Sequence, residues 1–259
     1  MALIELRKVS KRFDQLVVLD QIDLNIEAGK CLAVIGASGV GKSVLLKHIV
    51  GLLRPDSGEI YFAGQRIDNL SERQLDEIRH RFGFLFQMGA LFDSMTVAEN
   101  IGFPLVEHTK KSSSQIAAIV QEKLSLVGLP EIGQRLPGEL SGGQRKRVAL
   151  ARAIALGPEV ILYDEPTTGL DPIRSDVINE LIIKLQRELA VTSIVVTHDM
   201  HSVFRVADRI VMLDNAKFVF DGSTKEIRHS QNQTVRHFVE GKATQAELGT
   251  LKAYNAVAD

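Results

Sequence analysis

The octapeptide Gly36-Ala37-Ser38-Gly39-Val40-Gly41-Lys42-Ser43 constrains this chain more than any other feature. It fits the Gly-x-x-x-x-Gly-Lys-Ser pattern at every fixed position. Its glycines let successive backbone N–H groups turn inward, forming an anion-binding concavity at a helix N-terminus. Lys42 adds a point charge for the β and γ phosphates of a nucleotide, and Ser43 a hydroxyl for Mg²⁺. The flanks agree with that reading. Lys30–Gly36 is a continuous apolar run, as a strand buried on both faces should be. Ser43–Leu53 follows as a helix whose stripe runs from Val44 through Leu45, Leu46, Ile49 and Val50 to Leu53, ended by Arg54-Pro55.

The remaining order of elements predicts an α/β fold. Leu3–Phe13 and Val18–Glu27 show broken alternation and read as half-buried strands, and Glu59–Ile67 as one short strand. Ser71–His80 reads as a helix with Ser71 as N-cap and Gln74 completing a capping box. From about Met88 to Pro158 strand-like runs disappear, and helical periodicity dominates Ser113–Val127 and Gly142–Leu156. Strands resume at Val160–Tyr163, Ser193–Thr197, Arg209–Leu213 and Phe218–Phe220, with a helix over Ile173–Leu189. A mainly parallel sheet flanked by helices, with a small antiparallel element at the start, is the expected architecture. Ser230–Asp259 is a polar extension whose Val235, Phe238 and Val239 form a short apolar stripe, for docking on a neighbour or packing on its own core.

Composition excludes several function classes. With 31 basic and 32 acidic residues among 259, there is no basic excess to draw nucleic acid. The single cysteine, Cys31, forbids an internal disulfide, and its apolar neighbours place it as a buried strand thiol. Met1 is followed at once by Glu5, Arg7 and Lys8, without the apolar core of a secretion leader. No apolar run approaches the ~20 residues a bilayer crossing needs. Work at a membrane would therefore go through other subunits.

Two further segments carry chemistry. Val160-Ile161-Leu162-Tyr163-Asp164-Glu165 is an apolar strand ending in two acids. After a phosphate-binding loop, Asp164 suits a water-mediated hold on Mg²⁺, and Glu165 suits orientation or deprotonation of an attacking water. Leu140-Ser141-Gly142-Gly143-Gln144 opens a helix with small residues, a second anion-friendly N-terminus. Of the basic residues that follow, Lys146 is placed on a solvated helix face.

Together these segments resemble the ATP-binding cassette (ABC) family from about Leu3 to Asp221. The resemblance implies a P-loop, RecA-like core (about 1–87 and 159–229) with an inserted α-helical subdomain (about 88–158) and a C-terminal extension (230–259). It implies ATP and Mg²⁺ as cofactors and a head-to-tail homodimer. In that dimer each ATP lies between one P-loop and the partner's Ser141, Gly142, Gly143 and Gln144, with Asp171 at the shared interface. It further implies that Phe13 stacks on adenine, that Gln87 meets Mg²⁺ and the attacking water, and that His198 contacts the γ-phosphate. Phe86–Val97 with Asn100-Ile101 is similar to the ATPases of bacterial lipid-asymmetry systems, although many of those carry Met where this chain has Gln144. This implies phospholipid cargo and membrane-embedded permease partners. It also implies an MCE-domain lipid-binding protein, a small accessory subunit, and a place on the cytoplasmic face of the inner membrane. An importer or exporter of amino acids, ions or peptides is the nearest alternative. A soluble ABC ATPase acting on DNA or ribosomes would show two cassettes, long coiled-coil inserts or zinc ligands.

Overall fold

The computed structural model describes residues 2–242. In chain order the strands are β1 (Ala2–Phe13), β2 (Leu16–Glu27), β3 (Cys31–Ile35), β4 (Ser57–Phe62), β5 (Gln65–Arg66), β6 (Phe82–Leu85), β7 (Val160–Asp164), β8 (Thr192–Val196), β9 (Arg209–Asp214) and β10 (Lys217–Gly222). The helices are α1 (Lys42–Ile49), α2 (Glu72–Arg79), α3 (Val97–His108), α4 (Ser113–Leu126), α5 (Gly142–Ala153), α6 (Pro172–Leu189), α7 (Met200–Val206), α8 (Thr224–Arg228) and α9 (Gln233–Glu240). Strands β2-β1-β4-β5 form an antiparallel sheet, and β10-β9-β3-β8-β7-β6 form the main sheet. Within the main sheet β9, β3, β8, β7 and β6 run parallel, and β10 returns antiparallel on β9.

The continuous apolar strands follow from burial on both faces. Leu32 and Val34 of β3 join Leu162 of β7 and Ile194 of β8 in a core shared with α1 and the antiparallel sheet. Cys31, Tyr163 and Val195 point the other way, into a core with α3 to α6. Ala33, Ile35, Ile210 and Met212 meet α7, α8 and α9. Cys31 is fully buried, and that burial pushes its thiol pKa up. Val235 of α9 is also fully buried, with Phe238 and Val239 against the same core. The stripe thus packs on its own chain, while the expected extension beyond residue 242 lies outside the described residues.

Some elements differ from the sequence reading. Glu59–Ile67 is two strands around a hairpin turn at Ala63-Gly64, both at positive φ (50° and 79°). Helix α1 stops at Ile49, because Gly51 turns left-handed (φ 67°) and the N–H groups of Leu52 and Leu53 fold back on the Lys47 carbonyl. Helix α3 escapes a periodicity reading through its interior Gly102 and Pro104. Its start is nonetheless marked by a reciprocal capping box between Thr96 and Glu99. The expected box at Ser71 and Gln74 is present.

The loop after β3 is sterically locked. A Cβ on Gly36 (φ 148°) would lie 2.3 Å from the Leu213 carbonyl oxygen, and one on Gly41 (φ 108°) 2.6 Å from Val18 Cγ1. A Cβ on Gly39 (φ 83°) would meet nothing within 4 Å. Gly36→Ala should therefore cost roughly 3 kcal/mol of stability, against about 1 kcal/mol of left-handed strain for Gly39→Ala. Urea denaturation of the two variants checks the contrast, and equal losses would refute the steric account. By the same method, Val235→Asp, which strands a charge in the third core, should cost about 3 kcal/mol.

Candidate functional site

Strands β3, β8, β7 and β6 are successive neighbours in one parallel sheet, so their carboxyl ends lie side by side. The chain leaves these ends at Gly36, His198, Asp164-Glu165 and Gln87, where α/β sheets bind ligands. A cleft of about 340 Å³ opens there, lined by Ser38, Gly39, Gly41, Lys42, Ser43, Val44, Gln87, Asp164, Glu165 and His198. Residues more than a hundred positions apart in sequence are thus brought within reach of one ligand. Gly36, Ala37 and Val40 complete the loop, and Val40 faces an adjoining hollow with Leu16, Val17 and Val18. Phe13 stands beside that hollow, paired with Leu16 across the β1–β2 turn and 43% exposed.

The electrostatics favour a polyanion bound near hard oxygen donors. Lys42 is buried, and its Nζ donates to the carbonyls of Gly36 (2.7 Å) and Ala37 (2.9 Å). Burial lowers its pKa against the opposing pull of Glu165 and Asp164. Gly41, the N-cap of α1, offers no side chain to the first N–H groups of that helix, leaving them for an anion. Ser43 Oγ donates to Asp164, 3.3 Å from each carboxylate oxygen. Burial and then the Glu165 charge raise the Asp164 pKa, with the Ser43 bond working the other way. Among the described residues no group of three or more His, Cys, Asp or Glu is placed to hold a metal. One hydroxyl and one carboxylate at the foot of a phosphate-sized cleft do suit Mg²⁺, which keeps waters and substrate oxygens for its other positions.

Glu165 is the most constrained side chain of the cleft. Its backbone is left-handed (φ 50°), and its N–H donates to the Val196 carbonyl at 2.8 Å. Oε2 accepts from Thr168 Oγ1 (3.1 Å) and Thr197 Oγ1 (3.3 Å), and Oε1 lies 3.0 Å from His198 Nδ1. Thr168 and Thr197 are not singled out by the sequence, where a threonine beside a strand end is unremarkable. Behind them, Asp199 accepts from Thr167 (3.2 Å) and Ser202 (2.6 Å), and Asn179 donates to Ser202 (3.0 Å).

Lys146 departs from expectation. It is 6% exposed rather than solvated, and its Nζ donates to the backbone carbonyls of Glu165 (3.1 Å) and Pro166 (2.7 Å). Burial lowers its pKa to about 8 despite the nearby Glu165 charge. Gly143, Lys146, Ala149 and Leu150 share the buried face of α5, a helical spacing that could have placed it.

Ser141, Gly142, Gly143 and Gln144 are not part of the Lys42 cleft. Ser141 caps α5, its Oγ accepting from the Gln144 N–H (3.3 Å) while its own N–H donates to Gln144 Oε1 (2.9 Å). This helix end lies against the turn before α6 and the first turn of α6. A Cβ on Gly142 would meet Leu170, and one on Gly143 would meet Arg174. Asp171 caps α6 by accepting from the Arg174 N–H at 2.9 Å.

Residues 19–168 match the family model described as ABC transporter. Over 241 residues, covering 93% of this chain and 91% of the relative, the chain is 44% identical to the intermembrane phospholipid transport system ATP-binding protein MlaF of Haemophilus influenzae. It is also 44% identical, over 92% of its length and 69% of the relative's, to the probable ribonucleotide transport ATP-binding protein mkl of Mycobacterium leprae. Among solved structures it resembles the ATP-binding cassette MJ0796, a dimer bound to ADP and Pi in a post-hydrolysis state, at a TM-score of 0.78, 33% identity and 85% and 98% coverage of the two chains. It also resembles cbiO1 of Clostridium perfringens, at a TM-score of 0.83, 29% identity and 97% and 99% coverage. A match over more than half the chain, joined by near-full-length relatives, fixes its membership: the chain belongs to the ABC transporter family, as an ATPase.

Proposed function

We propose that this chain hydrolyses ATP at the cytoplasmic face of a bacterial inner membrane to power phospholipid transport through membrane-embedded permease subunits. The observation that carries the hydrolytic part is the meeting of Lys42, Ser43, Asp164, Glu165, Gln87 and His198 at four adjacent strand ends. Catalysis here is positioning and charge compensation around a phosphoryl group passing to water. Lys42 and the loop N–H groups hold the phosphates, and Phe13 stacks on the adenine. Glu165, held by Thr168, Thr197 and His198, orients the water and takes its proton. Gln87 and His198 align the water and the γ-phosphate. Ser43, Asp164 and Gln87 would hold Mg²⁺, which supplies neutralising charge to the phosphate oxygens.

The Ser141–Gln144 helix end lies outside its own cleft, so its anion-binding capacity serves a second copy in a head-to-tail homodimer, with Asp171 beside the shared surface. The dimeric cassette among the similar structures supports that arrangement. No described helix is long and apolar enough to cross a membrane, which fits a peripheral subunit. The phospholipid cargo is supported by the 91% coverage of the Haemophilus MlaF protein and by the Met88–Ile101 segment. An MCE-domain lipid carrier and a small accessory subunit complete the proposed assembly. The mycobacterial relative's name makes ribonucleotide the second cargo to test.

Glu165→Gln in the purified complex should keep ATP binding and lower turnover about a hundredfold or more, as loss of a general base requires. Near-normal turnover would remove Glu165 from its role. For the cargo, the reconstituted complex should move labelled phospholipid between a lipid carrier and a bilayer, and Lys42→Ala should stop the transfer. An ATPase that ignores lipid carriers and responds to ribonucleotides would decide for the second cargo.

A further inference from the structure

Lys146 joins two parts of the molecule that serve different nucleotides. Helix α5 starts at Ser141, and its capping box fixes that end as a rigid unit. Five residues along, on the buried face, Lys146 Nζ holds the carbonyls of Glu165 (3.1 Å) and Pro166 (2.7 Å). Those carbonyls belong to the turn that leaves β7, the same turn that aims the Glu165 carboxylate into the Lys42 cleft. At 1.5 Å per residue, the helix end and the backbone of Lys146 are separated by only ~8 Å of helix. A displacement of the end therefore reaches the lysine with little to absorb it.

We propose that Lys146 is a positioning residue that couples the two composite sites of the dimer, tying the helix end that meets the partner's nucleotide to the backbone of Glu165 in its own cleft. The inference rests on the head-to-tail reading given above. When ATP bound to the partner draws the Ser141 end of α5, Lys146 carries the movement to the Glu165–Pro166 turn and sets the carboxylate. Each site is then poised by occupancy of the other. Several observations favour such a linkage over a surface contact. The ammonium is buried, both its acceptors are backbone carbonyls, and burial lowers its pKa to about 8. The facing charge is the Glu165 carboxylate.

The test uses the full chain assembled with its membrane partners. Lys146→Met and Lys146→Gln should lower kcat about tenfold, leave the KM for ATP within about twofold, and bring the Hill coefficient for ATP down to one. Lys146→Arg, which keeps charge and donors, should recover a third or more of kcat and the cooperativity. In a Glu165→Gln background, Lys146→Met should slow single-turnover hydrolysis no further, because the carboxylate it positions is gone. A purely structural lysine would slow both backgrounds by the same factor, and that result overturns the proposal. So does a wild-type kcat and Hill coefficient in Lys146→Met. Should Lys146→Met fail to fold, equal kinetics in Lys146→Gln and Lys146→Arg overturn it alike. ATP-driven dimerisation of Glu165→Gln, followed by gel filtration, tests the composite site separately. No dimer removes that site and this proposal with it, whereas a dimer with unaltered Lys146→Met kinetics removes this proposal alone.

Discussion

The parallel pairing of β3, β8, β7 and β6 is the constraint on which the rest of the structure depends. Its register matches Cys31 with Ser193, Ile161 with Ser193 and Phe82 with Val160, so the four strands finish almost level. Short strands of four or five residues have little stability of their own. Burial on both faces supplies it, at roughly 1.5–3 kcal/mol for each fully buried aliphatic side chain. The functional residues contribute almost nothing to this core. They sit at the levelled strand ends, on the loops these release and on the first turn of α1, and a slip of one residue in any strand would turn its inward side chains to the opposite face. The apolar runs and the polar cleft are in that sense one feature.

At the cleft, strain and hydrogen bonding are concentrated on Glu165. Left-handed backbone costs a non-glycine residue about 1–2 kcal/mol, and such strain persists only where the surroundings over-determine it. Here the N–H is taken by Val196, the carbonyl by Lys146, and the carboxylate by Thr168, Thr197 and His198. These contacts come from three parts of the chain: the end of β8 (Val196, Thr197 and His198), the turn before α6 (Thr168) and α5 (Lys146). Thr197 in turn accepts from the Asp199 N–H, and Asp199 joins Thr167, Ser202 and Asn179 in a polar network that reaches into α6. The carboxylate is therefore fixed by β8, by the turn before α6 and by α5 together. A shift of any of them registers on it.

Much of this was legible in the sequence, and the reasons are physical. A buried parallel strand followed by Gly36–Ser43 is a covalently local pattern, so the loop, its strand and its helix could be read from one window. The paired acids after Val160–Tyr163 were legible for the same reason, whereas the histidine after Ser193–Thr197 was singled out only through the family resemblance. Elements whose signal is weak or divided were not. The hairpin at Ala63-Gly64 closes an apolar run and is followed by a strand of only two residues, and α3 carries a glycine and a proline that mask its period. The two threonine hydroxyls that meet the Glu165 carboxylate left no such trace. Thr197 is ordinary until β8 brings it alongside, and Thr168 until the turn after β7 curls back on Glu165.

Lys146 shows where reading by residue type fails. A lysine flanked by two arginines reads as a solvated stripe, because exposure is the cheapest state for charge. Burial works against the ammonium and lowers its pKa to about 8. Two hydrogen bonds from a charged donor to backbone carbonyls work the other way. The balance holds only while both carbonyls stay in place, and they belong to the turn that carries Glu165. A surface lysine would be indifferent to that turn. A buried one cannot be, and any movement of α5 that loosened its two partners would meet the full cost of the uncompensated charge. The Ser141 end of α5 and the Glu165 carboxylate in the Lys42 cleft are in this way held to a single geometry.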